Sequence, residues 1–355
     1  MSVLTGGRTI WAYVWEDDGA FAQEPGDPTD SEFKAFGDDE DISEPDADNS
    51  VETYYRQFNR QPSEYHEMEF EGTWGTDFIY TNPWWLGFVY GSPTITDNTG
   101  TGGGYVLNFS LSPTDPPKTA HLVEENHYQD GTVSQTVYIG AGIDDPSVST
   151  AVQDPMDVSL NGFYVDERIY DDATNSPYGE LGSQPDTDFS PLNFANAELF
   201  LDLSDSGTAE FRGHVQDLDL SFNSNTEPDY ELGTRFGVNK VDLDFEPDLS
   251  YSARVTDDLK EGERKNFYGN QVDTSGDAVY PAEEMSDVGV KGYVQLLSRK
   301  EENNLQINWT EGFPSSFQRS NVGDPESAID DDVDRSLLDV TAEATVGQDP
   351  NVYFS

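Results

Sequence analysis

Apolar and polar positions alternate with a period of two over much of the chain. The segments YVLNFSLS from Tyr105, TVSQTVYIG from Thr132, DVSLNGFYV from Asp157 and ELFLDLS from Glu198 have this pattern. So do DLDLSFN from Asp217, KVDLDFE from Lys240 and GYVQLLS from Gly292. Such alternation puts one face of a strand on a core and the other in water, which predicts antiparallel sheets. Turn chemistry is abundant: Asp130-Gly131, Asn161-Gly162 and the run Gly102 to Gly104 separate the strands, and the chain holds 31 glycines and 20 prolines. The fold class predicted is mainly β.

Two short helices interrupt the strands. In the first, Asn82 is placed to cap, Pro83 occupies the first helical position ahead of Trp84, Trp85 and Leu86, and Gly91 is the stop. In the second, Asp257 or Asp258 caps Leu259 to Tyr268, cations gather near its end, and Gly269 is the stop.

The likeness of the two helices prompts a search for an internal repeat. Ile42-Ser43, Asn49, Tyr54, Asn59-Arg60, Glu69-Phe70-Glu71 and Tyr90-Gly91 are echoed in order by Leu220-Ser221, Asn223, Tyr230, Thr234-Arg235, Asp244-Phe245-Glu246 and Tyr268-Gly269. Arg60 to Arg235 and Phe70 to Phe245 are both offset by 175, Tyr90 to Tyr268 by 178, and Asp157-Val158-Ser159-Leu160 to Asp339-Val340-Thr341-Ala342 by 182. A slowly growing offset is what small loop insertions produce between copies of one fold. The sequence therefore predicts an N-terminal arm over 1–35, a first module over 36–180 and a second over 181–355. Their boundary falls in the turn-rich stretch from Asp171 to Pro191. A chain of 355 residues is long enough for each half to bury a core.

Charge adds a condition on the environment. There are 70 acidic residues against 18 basic ones, a formal net charge of -52 spread along the whole chain. At about 0.1 M ionic strength the screening length is about 10 Å and self-repulsion strains a compact fold, whereas at about 1 M it falls to about 3 Å. Aromatic residues make up 12% of the chain and sit in strand-like runs, which argues against disorder and for a folded protein of molar salt. So negative a field repels free nucleic acid. The N-terminal sequence lacks a charged segment followed by an apolar one, and no apolar run approaches 18 residues, so a soluble chain made in the cytoplasm is expected.

Chemistry is sparse. Cysteine is absent, which excludes disulfides, thiolate metal sites and a cysteine nucleophile. His66, His121, His127 and His214 form no metal-binding spacing. The acidic runs from Asp38 and Asp330 lack the glycine of a calcium loop, so no cofactor is expected beyond non-specific cations at acidic loops. With 70 carboxylates, a pair at glycosidase spacing carries no information. No nucleophile elbow or phosphate-binding glycine loop is present, and no enzymatic activity is expected. Trp84, Trp85, Phe88 and Tyr90 read as packing residues, in a core or between subunits.

The series Ile42-Ser43, Asn49, Tyr54, Asn59-Arg60, Phe70-Glu71-Gly72-Thr73-Trp74, Thr81 to Leu86 and Tyr90-Gly91 resembles the major tail tube proteins of long-tailed phages and haloarchaeal tailed viruses. The resemblance covers Phe36 to Gly91, with an echo from Leu220 to Gly269. The segments before residue 36 and from Gly100 to Pro117 have no counterpart in it. The resemblance implies two tandem tail-tube-like β-sandwich modules, each with a short flanking helix, and subunits that assemble into stacked rings around a DNA conduit. Since such rings have six modules, a two-module chain would close as a homotrimeric ring with pseudo-sixfold symmetry. It also implies tape-measure and tail-completion proteins as partners, no membrane, and a place in the virion tail after assembly in the cytoplasm of a halophilic archaeal host. Arg60, Phe70, Trp84, Trp85, Tyr90, Arg235, Phe245 and Tyr268 are the assembly candidates. The alternative is a tail-tip or fibre module that adheres to host glycans through an exposed aromatic platform; a secreted hydrolase is the third reading.

Overall fold

The computed structural model describes residues 8–16, 21–22, 33–54, 64–101, 103–151, 154–181, 192–202, 209–211, 215–231, 237–242, 244–254, 290–298, 304–319, 330–346 and 350. The N-terminal half contains β1 (Arg8–Trp15), β2 (Asp38–Tyr54), β3 (Glu64–Ile79), β4 (Thr94–Asp97) and β5 (Tyr105–Phe109). It continues with β6 (Ala120–His127), β7 (Val133–Ile143), β8 (Ser147–Ala151), β9 (Asp157–Tyr164) and β10 (Asp166–Tyr170). The C-terminal half contains β11 (Leu192–Leu201), β12 (Glu210–Phe211), β13 (Val215–Ser221), β14 (Thr226–Asp229), β15 (Asn239–Asp242) and β16 (Asp248–Arg254). Its remaining strands are β17 (Gly292–Ser298), β18 (Asn304–Trp309), β19 (Glu311–Arg319), β20 (Asp330–Leu338) and β21 (Thr341–Val346). Each segment read above as a strand forms one, and the fold is mainly β with antiparallel sheets.

In the N-terminal half the ladders run β1-β6-β7-β10 and β2-β3-β9-β8. In the C-terminal half they run β11-β17-β18-β21 and β13-β16-β20-β19. Among the described residues, leaving aside the hairpins β4–β5 and β14–β15 and the short β12, each half has eight strands, and numbered along its own chain each half has the orders 1-4-5-8 and 2-3-7-6. The halves are joined edge to edge: β8 pairs with β13, and β5 pairs with β21. One continuous hydrophobic cluster draws on both, including Trp74, Phe78, Val158 and Leu160 from one half and Leu220, Leu249, Leu305 and Trp309 from the other.

The offset of 175 that pairs Phe70 with Phe245 also relates Gly72, opposite Tyr164, to Pro247, whose carbonyl accepts from Leu337 N. The match of Asp157–Leu160 to Asp339–Ala342 fails as a strand correspondence. Asp157 opens β9, whose place in the order is taken by β20, whereas Ala342 lies in β21, the counterpart of β10. A short alternating pattern recurs in any half-buried strand and does not by itself fix which strand it is.

Part of the segment expected as an arm is a strand of the fold. β1 pairs with β6 over its whole length. Its sequence RTIWAYVW is apolar on both faces: Tyr13 and Trp15 enter the main cluster, while Ala12 and Val14 join Phe33, Val123, Val137, Ile139 and Tyr178 in a second one. A strand covered on both faces reads as a continuous apolar run.

The first expected helix is a 3₁₀ turn, Trp84–Leu86, leading into a single α-turn, α1 (Gly87–Tyr90). Asn82 Oδ1 accepts from Trp84 N at 3.1 Å, and its Nδ2 donates to the carbonyls of Ala35 and Phe36 at 3.3 and 3.1 Å. Gly91 ends the turn at φ +84°, where a Cβ would lie 2.7 Å from the carbonyl oxygens of Asp115 and Pro116. The second expected helix, Leu259 to Tyr268, lies outside the described residues.

Gly162 sits where β9 crosses β7, and a Cβ there would lie 1.9 Å from the carbonyl oxygen of Gly142. Gly162→Ala is expected to lower stability by about 1–3 kcal/mol through backbone displacement. Gly100→Ala, with nothing within 4 Å of the new methyl, is expected to be near neutral. Urea denaturation of both variants in high salt measures the difference.

Candidate assembly interface

Four of the sequence candidates, Phe70, Trp85, Tyr90 and Phe245, meet at the seam between the halves. At its backbone core, β8 and β13 are in register with Val148 opposite Leu220, both buried. On the other sheet Leu107 faces Ala344 and Phe109 faces Ala342. Aromatic rings fill the space between. Trp85 meets Phe222 at 6.1 Å between ring centroids, and Tyr90 meets Phe222 at 6.1 Å and Phe245 at 6.0 Å. The short helical segment of one half therefore packs on the other half. Burial holds the phenols of Tyr80 and Tyr90 far above the ordinary tyrosine range.

A hairpin from the C-terminal half reaches back over the N-terminal half. Asn223 and Asn225, at φ +43° and +47°, turn the chain out of β13 into β14. Phe222 N donates to Pro146 O at 2.9 Å, Ser224 Oγ to Asp144 O at 2.9 Å and Asn225 N to Asp144 O at 3.1 Å. Farther out, Tyr230 donates its hydroxyl to Phe70 O at 2.9 Å. Gly237 lies on Val165: a Cβ added there would come 2.8 Å from Val165 Cγ1. Val165 is fully buried.

Of the sequence candidates, Trp85, Tyr90, Phe70 and Phe245 thus sit at this seam. Trp84 is buried as well, at 2% exposure, so the Trp84-Trp85 pair offers no exposed platform for a sugar. Arg60, Arg235 and Tyr268 lie outside the described residues. Phe222, Tyr230 and Val165 were not singled out from the sequence. Tyr230 was visible there only as the counterpart of Tyr54, and nothing in the sequence tells Phe222 or Val165 from other strand residues.

The seam is also acidic. Burial, then Asp145 and Glu227, raise the Asp144 carboxyl above its ordinary range, and burial, then Asp145, raise that of Asp219. These four carboxylates come from both halves. A cleft of about 440 Å³ with Asp144, Asn161, Phe163, Thr226 and Glu227 among its walls opens on the same side.

Away from the seam, two buried carboxylates are satisfied by donors. Glu16 accepts from Thr119 Oγ1, from Ala22 N at 3.1 Å and from Gly140 N at 3.1 Å, and lies 2.9 Å from His121 Nε2. His121 Nδ1 in turn is 2.6 Å from the Tyr178 hydroxyl, whose pKa is raised by burial and then by Glu16. Glu125 accepts from Gln135 Nε2 and from Leu181 N, with His127 Nε2 at 2.8 Å. Both carboxylates pin loops onto β6 and β7. Among the described residues no group of three or more His, Asp or Glu side chains is placed to hold a metal ion. No helix there is long and apolar enough to cross a membrane.

No protein-family model matches the chain, and no curated protein matches it in sequence.

Two outcomes follow from the seam. Phe222→Ala is expected to cost about 3–5 kcal/mol, because it empties a site lined by Trp85, Tyr90 and Phe245; calorimetric unfolding checks this. For Asp144 and Asp219 the folded pKa is raised, so their contribution is favourable when protonated and is lost as pH rises through the carboxylate range. Added salt should therefore raise the unfolding temperature at neutral pH, with a smaller increment at mildly acid pH. Asp219→Asn should flatten the salt dependence, and an unchanged slope would refute the account of the seam.

Proposed function

We propose that the chain is a self-assembling structural protein whose halves are two copies of one eight-stranded module. More specifically, it is the subunit of a viral tail tube. The observation that carries this reading is the ladder β2-β3-β9-β8-β13-β16-β20-β19, in which two quartets of the same order join end to end. The edge offered by the first quartet is β8, whose counterpart is β19. The edge that receives it is β13, whose counterpart is β2. Among the described residues β19 pairs only with β20 and β2 only with β3, so a copy ends in the same two kinds of edge that its own seam brings together. Unpaired edges of this length invite pairing with another chain. Repetition of one heterologous contact generates a ring when its rotation closes and a filament when it does not.

The resemblance of Phe36 to Gly91 to tail tube proteins supplies the closed, six-module case, so three copies make a ring and rings stack into a tube. Mechanism is then physical. Carboxylates facing the lumen repel the phosphates of passing DNA and leave no sticking points, while molar salt screens repulsion between subunits. Tape-measure and tail-completion proteins would set the length and close the ends, in the tail of a virus of a halophilic archaeon.

Electron microscopy of the recombinant protein in about molar salt, where screening lengths are about 3 Å, tests this directly. Hollow rings or tubes with threefold symmetry are expected. True sixfold rings would remove the two-module subunit, and a protein that stays monomeric under all conditions would overturn the reading.

A further inference from the structure

Among the described residues five large hydrophobic side chains are exposed, and the two most exposed are Ile169 at 68% and Leu338 at 50%. Each occupies a position that the other half buries at the seam. Leu338 ends β20 just before β21, and its carbonyl accepts from Thr310 N at 3.1 Å. Val165 stands between β9 and β10, and its N–H donates to Ile139 O at 3.0 Å. The ladders agree on the spacing: Val165 to Leu338 is 173 residues, as is Tyr164 to Leu337, while their partners Ile139 and Thr310 are 171 apart. Yet Val165 is wholly buried, beneath the Gly237 end of the β14–β15 hairpin, and among the described residues nothing equivalent covers Leu338, which is half exposed.

Ile169 repeats the argument on the other sheet. It pairs with Thr136 on β7, and Ala342, again 173 residues later, pairs with Ile307 on β18, itself 171 after Thr136. Ala342 is 2% exposed because β5 adds to the far edge of β21, with Phe109 opposite Ala342. Among the described residues β10 has only β7 as a neighbour.

We infer that the Leu338 corner and the β10 edge at Ile169 are the two faces of a contact with a second copy of this chain, which buries both as the seam buries Val165 and Ala342. The element that covers Leu338 is the neighbour's β2–β3 hairpin. β13–β14 and β15–β16 form a hairpin with a kink at Asn223 and Asn225, and by strand order its counterpart is β2–β3, whose strands of 17 and 16 residues pair along their length with three register shifts. The hairpin that crosses Val165 comes from the half whose β13 edge pairs with β8. The hairpin that crosses Leu338 therefore comes from the copy whose β2 edge pairs with β19. Position 54, at the end of β2, is a tyrosine as position 230 is, where the hydroxyl donates to Phe70 O. Two large apolar side chains left open on so acidic a chain fit an interface that forms between copies.

This inference rests on the reading of the halves as copies of one module. Because the chain has no cysteine, Leu338→Cys carries a single thiol, to which a photoreactive benzophenone can be attached. Irradiation of the full-length protein in molar salt should give intermolecular products whose peptides map to residues 38–79 of a second copy. Products confined to one chain, or mapping elsewhere on the second, would overturn the proposal. In sedimentation velocity, Leu338→Asp and Ile169→Asp should each weaken association tenfold or more with unchanged monomer unfolding temperature, while Leu111→Asp, at another exposed leucine, should leave association unaltered. A wild type that assembles alongside aspartate variants that assemble equally well sinks this contact and spares the tube reading. A wild type that never associates sinks both.

Discussion

Backbone hydrogen bonding across the middle of the chain is the constraint on which the rest of this structure depends. A strand edge within a protein carries amide and carbonyl groups that must be paired or solvated. Here β8 meets β13 and β5 meets β21, so on each sheet a strand of one half covers an edge of the other. Because side chains alternate with a period of two, that pairing also fixes which residues face inward. Val148 and Leu220 are driven into the same core, and the rings of Trp85, Tyr90, Phe222 and Phe245 follow. The seam is therefore part of one hydrophobic interior, and separating the halves would expose both a ladder and an aromatic cluster.

Among the described residues acidity is laid over this interior almost without entering it; besides Asp202, the buried acids are Glu16 and Glu125, which are instructive. Glu16 and Glu125 are buried, and each is surrounded by N–H and O–H donors, which is the condition under which a carboxylate can be withdrawn from water. Toward the surface, several carboxyls are shifted upward by partial burial and by each other, as at Asp157 with Asp154 and Asp77, or Glu167 with Glu124 and Asp166, whereas hydrogen bonds from Thr99 and Thr174 hold Asp97 and Asp172 low. Their mutual repulsion opposes folding unless ions screen it. A net charge of -52 is thus tolerable where the solvent is salty, and the apolar core has to be dense to hold against it.

Much of this was legible in the sequence, for a physical reason. Half-buried strands write their period directly into the order of residues, so β5, β7, β9, β13 and β17 were visible as alternations. Phe70 and Phe245, which the sequence offset set side by side, both pack on the same core. Pairing was not legible. Which strand lies beside which depends on contacts between distant segments, and so the match of Asp157 to Asp339 pointed to the wrong strand. β1 was hidden because apolar residues on both faces erase the alternation that marks a strand. The seam residues Phe222 and Val165 carry no local signal, since their burial comes from the other half.

If the halves are copies of one module that closes into a ring, as proposed, their fusion has a consequence that follows from the charge. In a ring built from single modules every contact would have to form between separate acidic molecules, each encounter opposed by like charge. In a ring built from joined pairs, every second contact is already made within the chain at high effective concentration. The Asp144, Asp145, Asp219 and Glu227 group is then held together by the fold that buries Phe222 beside it, and only the remaining contacts need screening by salt to form. That asymmetry leaves the hydrophobic content of the two kinds of contact unequal before assembly: Val165 and Ala342 are already covered, whereas Leu338 and Ile169 are still in water. On the proposed reading, their burial is the driving force left to bring copies together.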